Sequence, residues 1–199
     1  MHGGMGNGDA FDKQLEQLAN DLGPLVQFVC ATAPQPASSS ERLWIGDADK
    51  QGPESVGWWQ ESVTSLERLI EEEGPFDGLL GYSMGSAAAF ALLATVPEGT
   101  FRFAVLCCGY VSDNNATIMG QLEERRPLRT PTLHCHGRAD YVIPGSYSKP
   151  MLDYFEEKAN ELCEHPGGHD VPRDANHVGQ LATFLLRFVK PGPGTGSND

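Results

Sequence analysis

Residues 78–85, GLLGYSMG, decide the fold, because an apolar run ends there in a serine flanked by glycines. The run predicts a strand over 78–82, and the alanine-rich residues after it predict a helix over 83–96. A G-x-S-x-G sequence between a strand and a helix is typical of a nucleophile elbow, although the motif alone also fits a plain turn. Side chains at Gly81 or Gly85 would collide across such a turn. We therefore predict that Ser83 is a nucleophile and that the Met84 N–H faces developing negative charge.

The nucleophile requires a base and a carboxylate from elsewhere in the chain. A serine hydroxyl reacts poorly alone, and in this kind of fold its partners follow in the order Ser, Asp, His. Asp140 follows a predicted strand over 132–136, and His169 follows a predicted strand over 161–165. Because the carboxyl ends of parallel strands meet at one edge of a sheet, we predict that both side chains reach Ser83.

Other residues compete for these roles. Asp140 also fits a turn or a cap, and Asp170 and Asp174 come after the histidine, which fits the chain order poorly. His165 lies at a strand end, where a packed or paired histidine is usual. His177 falls within a predicted helix.

Hydrophobic periodicity predicts strands that alternate with helices. This pattern indicates an α/β protein with a mostly parallel, doubly wound sheet and helices on both faces. We expect a single domain over 1–190 and a disordered tail over 191–199. The remaining predicted elements are helices over 9–22, 59–73, 146–159 and 174–189, strands over 25–31 and 103–108, and a Pro/Ser-rich loop over 32–57.

Composition narrows the possible functions. The formal net charge of −13 repels phosphate backbones and anionic membranes, so nucleic-acid binding is disfavoured. Five cysteines without a C-x-x-C spacing, and no apolar leader, indicate reduced thiols and a cytoplasmic location. No apolar run reaches the roughly 20 residues needed to span a bilayer.

Two further clusters are weaker candidates for chemistry. His134 and His136 alternate along one strand and could share a metal, but no third ligand has suitable spacing, so no metal site is predicted. Cys107 and Cys108 end a strand, where buried cysteines are usually packing residues. The tryptophan pair at 58–59 fits core or loop packing better than substrate contact.

The chain resembles the FSH-type family of serine hydrolases over residues 2–189. These small eukaryotic α/β-hydrolases include fungal esterases, thioesterases of polyketide pathways and an ovarian-tumour-suppressor-candidate esterase. The similarity is specific because GPFDGLLGYSMG at 74–85 and HPGGH at 165–169 occur together. It also includes HG at 2–3, AP at 33–34, GWW at 57–59, GRAD at 137–140 and VIP at 142–144.

The resemblance implies hydrolysis of a carboxylic ester or thioester without a cofactor. Ser83 would form an acyl-enzyme, His169 would act as general base and acid, and Asp140 would orient it. The oxyanion hole would consist of the Met84 N–H and a backbone N–H after His2-Gly3, most simply that of Gly4. The expected partner is a small-molecule substrate, while acyl length, leaving group and oligomeric state are not predicted.

The family also implies a strand that this sequence lacks. Relatives reach their His-Gly loop from an apolar strand beside the nucleophile strand, whereas here His2 directly follows Met1. Either the given start lies downstream of the true one, which we favour, or the chain is a short form with impaired activity. A non-catalytic binding scaffold and an acyltransferase are therefore alternatives. Between the predicted strands over 103–108 and 132–136, residues 118–122 could supply at most a small cover over the active site.

Overall fold

The structure is a computed structural model that describes residues 1–45, 55–113 and 115–189. The expected disordered tail at 191–199 and the side chain at position 58 lie outside this description. Across the described residues, no helix has both the length and the apolarity to cross a bilayer.

The described residues form two sheets, and the larger one positions the site. A two-residue antiparallel ribbon pairs β1 (Gln35–Pro36) with β2 (Arg42–Leu43) within the predicted loop. The larger sheet is wholly parallel, in the order β3-β4-β5-β6. Its strands are β3 (Gly78–Tyr82), β4 (Phe103–Cys107), β5 (Thr132–Gly137) and β6 (Asn160–His165).

Helices cover both faces of this sheet, as predicted. Successive strand side chains point to opposite faces, so Leu106 lies in one buried cluster while Val105 and Cys107 lie in the other. The helices are α1 (Gly8–Leu22), α2 (Ser55–Glu73), α3 (Met84–Thr95), α4 (Ala116–Arg125), α5 (Gly145–Ser148) and α6 (Ala175–Leu186). Residues of α2, α3 and α4 belong to the first cluster, and residues of α1 and α6 belong to the second.

Helix α3 runs from the predicted nucleophile into the core. Every residue from 85 to 94 is buried, so the helix has no polar face. Small alanine side chains let it approach the sheet closely. The packing fixes the start of α3, and with it Ser83, against the end of β3.

The predicted strand over 25–31 is wrong. Leu25 ends a short 3₁₀ helix, and residues 26–31 belong to no sheet. A cavity of about 640 Å³ lies between this segment and the free edge of β3, so its backbone has no ladder partner there. Alternate side chains, Val26, Phe28 and Cys30, still pack against the second cluster. The period-2 pattern was present, but the neighbouring strand was not.

The predicted helix over 146–159 is also wrong. Only α5 forms, followed by 3₁₀ turns at Lys149–Tyr154 and Glu157–Ala159. Pro150 has no N–H to extend a helix. In addition, Leu128 exchanges backbone hydrogen bonds with Tyr154 and Glu156, which draws the chain into a β-bridge at Phe155. Long-range pairing therefore overrides the local pattern.

In the segment that could supply a small cover, Ile118 and Leu122 are buried in the core on α4.

One residue of the N-terminus, Met1, pairs with the free edge of β3. The Met1 ammonium donates to the Leu80 carbonyl at 2.7 Å, and the Tyr82 N–H donates to the Met1 carbonyl at 3.2 Å. This is a single parallel β-bridge opposite Gly81. In the described part of the chain, β3 is thus an edge strand with one residue, Met1, paired beside it.

Candidate active site

Ser83 lies at a strained turn between β3 and α3. Its backbone has φ 55° and ψ −122°, in a region that non-glycine residues rarely occupy. The Ser83 N–H donates to the Cys107 carbonyl at 2.9 Å, and the Ser83 carbonyl accepts from Ser86 and Ala87. These bonds hold the turn, and the Ser83 side chain there is partly exposed.

The two flanking glycines are required for different reasons. A Cβ at position 81 would lie 2.5 Å from the Gly85 carbonyl oxygen, which is the predicted collision across the turn. A Cβ at position 85 would instead strike the carbonyl oxygens of Met1 and His2. Gly85 is therefore needed because the N-terminal loop lies against the elbow, which is a tertiary contact.

The structure brings Ser83, His169 and Asp140 into one hydrogen-bonded line. His169 Nε2 lies 2.9 Å from Ser83 Oγ, and His169 Nδ1 lies 2.7 Å from Asp140 Oδ2. The imidazole is 16% exposed, whereas the carboxylate is fully buried. The histidine can therefore meet a substrate from solvent, while the carboxylate contacts it from the protein side.

Asp140 is held as a carboxylate by its own loop. Its Oδ1 accepts N–H bonds from Val142 at 2.9 Å and Ile143 at 2.8 Å. Burial opposes ionisation, but the hydrogen bond from His169 and the two backbone donors outweigh it, so the pKa of Asp140 lies below its ordinary value. A charged acceptor for the His169 Nδ1–H is thus available at neutral pH.

The competing residues have other partners. Asp170 pairs with Arg173, and Asp174 caps α6 and binds His177 Nδ1 at 2.6 Å. His165 is buried at the end of β6. None of these side chains contacts Ser83 in the described residues.

Tyr82 is a site residue that the sequence analysis did not single out. Its hydroxyl donates to the His169 carbonyl at 2.8 Å, and its ring lies 5.2 Å from the imidazole. Burial is the main cause that raises its pKa to about 12, so the hydroxyl remains a donor. The only available signal was its place between Gly81 and Ser83 in the motif.

The predicted oxyanion donors lie next to one another. A Cβ at Gly3 would be 3.3 Å from Ser83 Cβ, and a Cβ at Gly4 would be 3.6 Å from Met84 Cβ. The Met84 N–H begins α3, where no intrahelical acceptor exists. Neither the Met84 N–H nor the Gly4 N–H is paired with an acceptor among the residues described.

His2 anchors the N-terminal loop that carries Gly3 and Gly4. Its Nε2 accepts from the Ala33 N–H at 3.0 Å, so Nδ1 carries the proton and donates to the Gly3 carbonyl at 2.6 Å. Trp44 Nε1 donates to the His2 carbonyl at 3.0 Å. Burial lowers the pKa of His2 to about 4, which keeps the ring neutral. The family motif named His2, but not this anchoring role.

No second chemical centre is evident in the described ranges. His136 binds Glu164 at 2.9 Å, while His134 packs edge-on against Phe155. Within those ranges, the one group of potential metal ligands is Cys108, Asp140 and His169, whose ligand atoms lie within 4.8 Å of one another. Two of these residues, Asp140 and His169, are already hydrogen-bonded to each other beside Ser83.

Large apolar side chains are exposed on segments that adjoin the site residues in the chain. Tyr141 is 91% exposed and Val142 66% exposed, directly after Asp140. Met5 is 64% exposed, directly after Gly4, and Tyr147 is exposed on α5. Apolar side chains are therefore exposed on the segments that directly follow Asp140 and Gly4.

Comparisons with known proteins identify the family to which the chain belongs. The serine hydrolase (FSH1) family matches residues 1–181. Esterase OVCA2 of Danio rerio is 30% identical over 226 residues, covering 94% of this chain and 95% of the relative. Rhodanese-like domain-containing protein 6 of Arabidopsis thaliana is 27% identical over 227 residues, covering 95% of this chain but 38% of that longer protein.

The fold is also found among solved structures. Acyl-protein thioesterase 2 of Zea mays is 21% identical and superposes with a TM-score of 0.69, covering 95% of this chain and 91% of that one. The family match and the esterase relative confirm the resemblance found in the sequence. The chain therefore belongs to the serine hydrolase (FSH1) family and is a hydrolase with the α/β-hydrolase fold.

Proposed function

We propose that the protein hydrolyses a carboxylic ester or thioester through an acyl-enzyme on Ser83. The observation that carries this proposal is the continuous line of hydrogen bonds from Ser83 Oγ through His169 to Asp140. Acyl transfer requires a serine at a strained turn, a histidine within reach of its proton and a carboxylate bonded to that histidine.

In the proposed acylation step, His169 Nε2 takes the proton of Ser83 as Oγ attacks the substrate carbonyl. Asp140 accepts the Nδ1–H bond, fixes the tautomer and stabilises the imidazolium. The N–H groups of Met84 and Gly4 donate to the developing oxyanion. The imidazolium then protonates the leaving alcohol or thiol. Deacylation repeats these roles with water as the nucleophile.

The surroundings support an uncharged, apolar acyl group as substrate. Tyr141 and Val142 directly follow Asp140 and Met5 directly follows Gly4, so the segments that carry these site residues also offer exposed apolar contact area. The net charge of −13 disfavours strongly anionic substrates. All five cysteines are free thiols, which supports the proposal of a reducing, cytoplasmic location.

A fluorophosphonate probe together with p-nitrophenyl esters of increasing acyl length tests the proposal. We expect the protein to label and to turn over these esters, and Ser83→Ala to do neither. Ser146→Ala, an exposed serine on α5, is the matched control and should behave as the wild type. If the folded wild type neither labels nor hydrolyses any of these esters, the binding-scaffold alternative replaces the enzyme. If added alcohol outcompetes water for the acyl group, the protein is an acyltransferase.

A further inference from the structure

Cys107 and Cys108 lie close to all three residues of the proposed triad. The Cys107 carbonyl accepts the Ser83 N–H at 2.9 Å. The next residue, Cys108, turns the chain with φ 50° and is completely buried. Its N–H donates to the Cys135 carbonyl at 2.7 Å, which fixes the turn to β5. A left-handed conformation is unusual for cysteine, so the surrounding structure must stabilise it.

The Cys108 thiol lies close to the Asp140 carboxylate and the His169 imidazole. Its Sγ donates to the Asp170 carbonyl at 3.3 Å, and it lies within 4.8 Å of both the Asp140 carboxylate and the His169 ring nitrogen. Asp170 directly follows His169, so this bond holds the peptide that carries the histidine. Burial raises the pKa of the thiol, and the nearby negative groups raise it further, so it stays protonated and remains a donor.

We propose that Cys108 is a positioning residue for the reaction, an inference that rests on the proposed function of the triad. Its S–H bond to the Asp170 carbonyl holds His169 at the distance where Nδ1 reaches Asp140 and Nε2 reaches Ser83. Tyr82 holds the same loop from the other side, through the His169 carbonyl. The imidazole thus depends on two donors, one to the carbonyl of its own residue and one to the carbonyl of the next.

Three substitutions distinguish the effect of the Cys108 thiol from the effect of its strained backbone. Cys108→Ser keeps a donor of similar size. Cys108→Ala removes the donor but keeps the strained backbone, and Cys108→Gly removes the donor while relieving the strain. We expect kcat to fall roughly five- to tenfold in the Ala and Gly variants, with KM within about twofold. The Ser variant should stay within about threefold of the wild type.

The pH profile provides a readout that a purely structural role would not move. A poorly placed imidazole bonds Asp140 less well, and its imidazolium is then stabilised less. We therefore expect the acid limb of kcat/KM to shift to lower pH in the Ala and Gly variants and to stay in place in the Ser variant.

The outcomes distinguish this inference from the proposed function. If the wild type fails to label with fluorophosphonate, the function itself is wrong. If the wild type is active, the inference is overturned when Cys108→Ala keeps its kcat and pH profile. It is equally overturned when the Ser and Ala variants lose activity to the same extent. Thermal unfolding of all three variants identifies any that fail to fold, and the strain-free Gly variant then carries the test.

Discussion

The Tyr82 hydroxyl donates a hydrogen bond to the backbone carbonyl of His169, so the residue before the proposed nucleophile, Ser83, holds the loop that carries the proposed base. The two residues are 87 positions apart in the chain. Phe11 stacks on the Tyr82 ring with the two ring centroids 6.0 Å apart, which links α1 to this contact. The elbow therefore presents Ser83 and also limits where His169 can lie.

Replacing Tyr82 by phenylalanine tests this link. The ring contacts remain, but the hydrogen bond to His169 is lost, and such a bond contributes about 1 kcal/mol. We expect kcat/KM to fall about fivefold, with a decrease of a few degrees in Tm. Ester hydrolysis and thermal unfolding measure the two effects. Unchanged kcat/KM in Tyr82→Phe would show that the loop is held without this bond.

Replacing Asp140 by asparagine tests the proposed role of its carboxylate in orienting His169. An amide has no negative charge to stabilise the imidazolium and does not fix the same tautomer, so we expect kcat to fall on the order of 10³- to 10⁴-fold. Asp174→Asn is the matched control, because Asp174 also bonds a histidine but lies at the surface on α6. Its kcat should stay within about twofold of the wild type. Comparable losses in the two variants would contradict the assignment of Asp140.

Stability should decrease at mildly acidic pH because two histidines are buried in their neutral form. Burial lowers the pKa of both His2 and His134 to about 4. Below pH 6.5 the unfolded chain binds protons that the folded chain does not. The stabilisation is therefore complete above pH 6.5 and is lost as the pH falls towards 4.

Urea unfolding at pH 7, 6 and 5 measures this loss. We expect about 2 kcal/mol per histidine to disappear between pH 6.5 and pH 5. His134→Leu should remove one histidine's share of that dependence. An unaltered pH slope in this variant would mean that His134 is protonated equally in both states.

The free edge of β3 predicts the effect of an added strand. Gly78, Leu80 and Tyr82 point their backbone groups towards this edge, and the Leu80 N–H has no partner in the described residues. Burial lowers the pKa of the Met1 ammonium to about 6. Four apolar residues placed before Met1 would replace this amine by an amide, pair with Leu80 and fill part of the cavity.

We expect such an extension to raise the free energy of unfolding by about 1–3 kcal/mol, measured by urea titration. A Gly-Ser extension of equal length is the control, since it offers backbone but little apolar surface. Equal stability of the two extended forms would show that the cavity does not accept a strand.

Short-range patterns predicted the part of the site that a few neighbouring residues specify. Strand, turn and helix around Ser83 follow from GLLGYSMG, because periodicity and glycine requirements act within one or two turns of chain. The order of Ser83, Asp140 and His169 was sufficient to predict the three residues that the structure joins. The mostly parallel sheet likewise followed from the alternation of elements.

Tertiary structure decided whatever depends on a distant partner. Residues 26–31 carry a strand pattern but have no neighbouring strand, and Phe155 is drawn out of a predicted helix by Leu128. Tyr82 and Cys108 act through backbone carbonyls near His169, which no side-chain motif records. The sequence alone therefore determined the chemical groups and their order, because those are local properties. Only the packed chain decided their distances, because hydrogen bonds and burial depend on what lies across the fold.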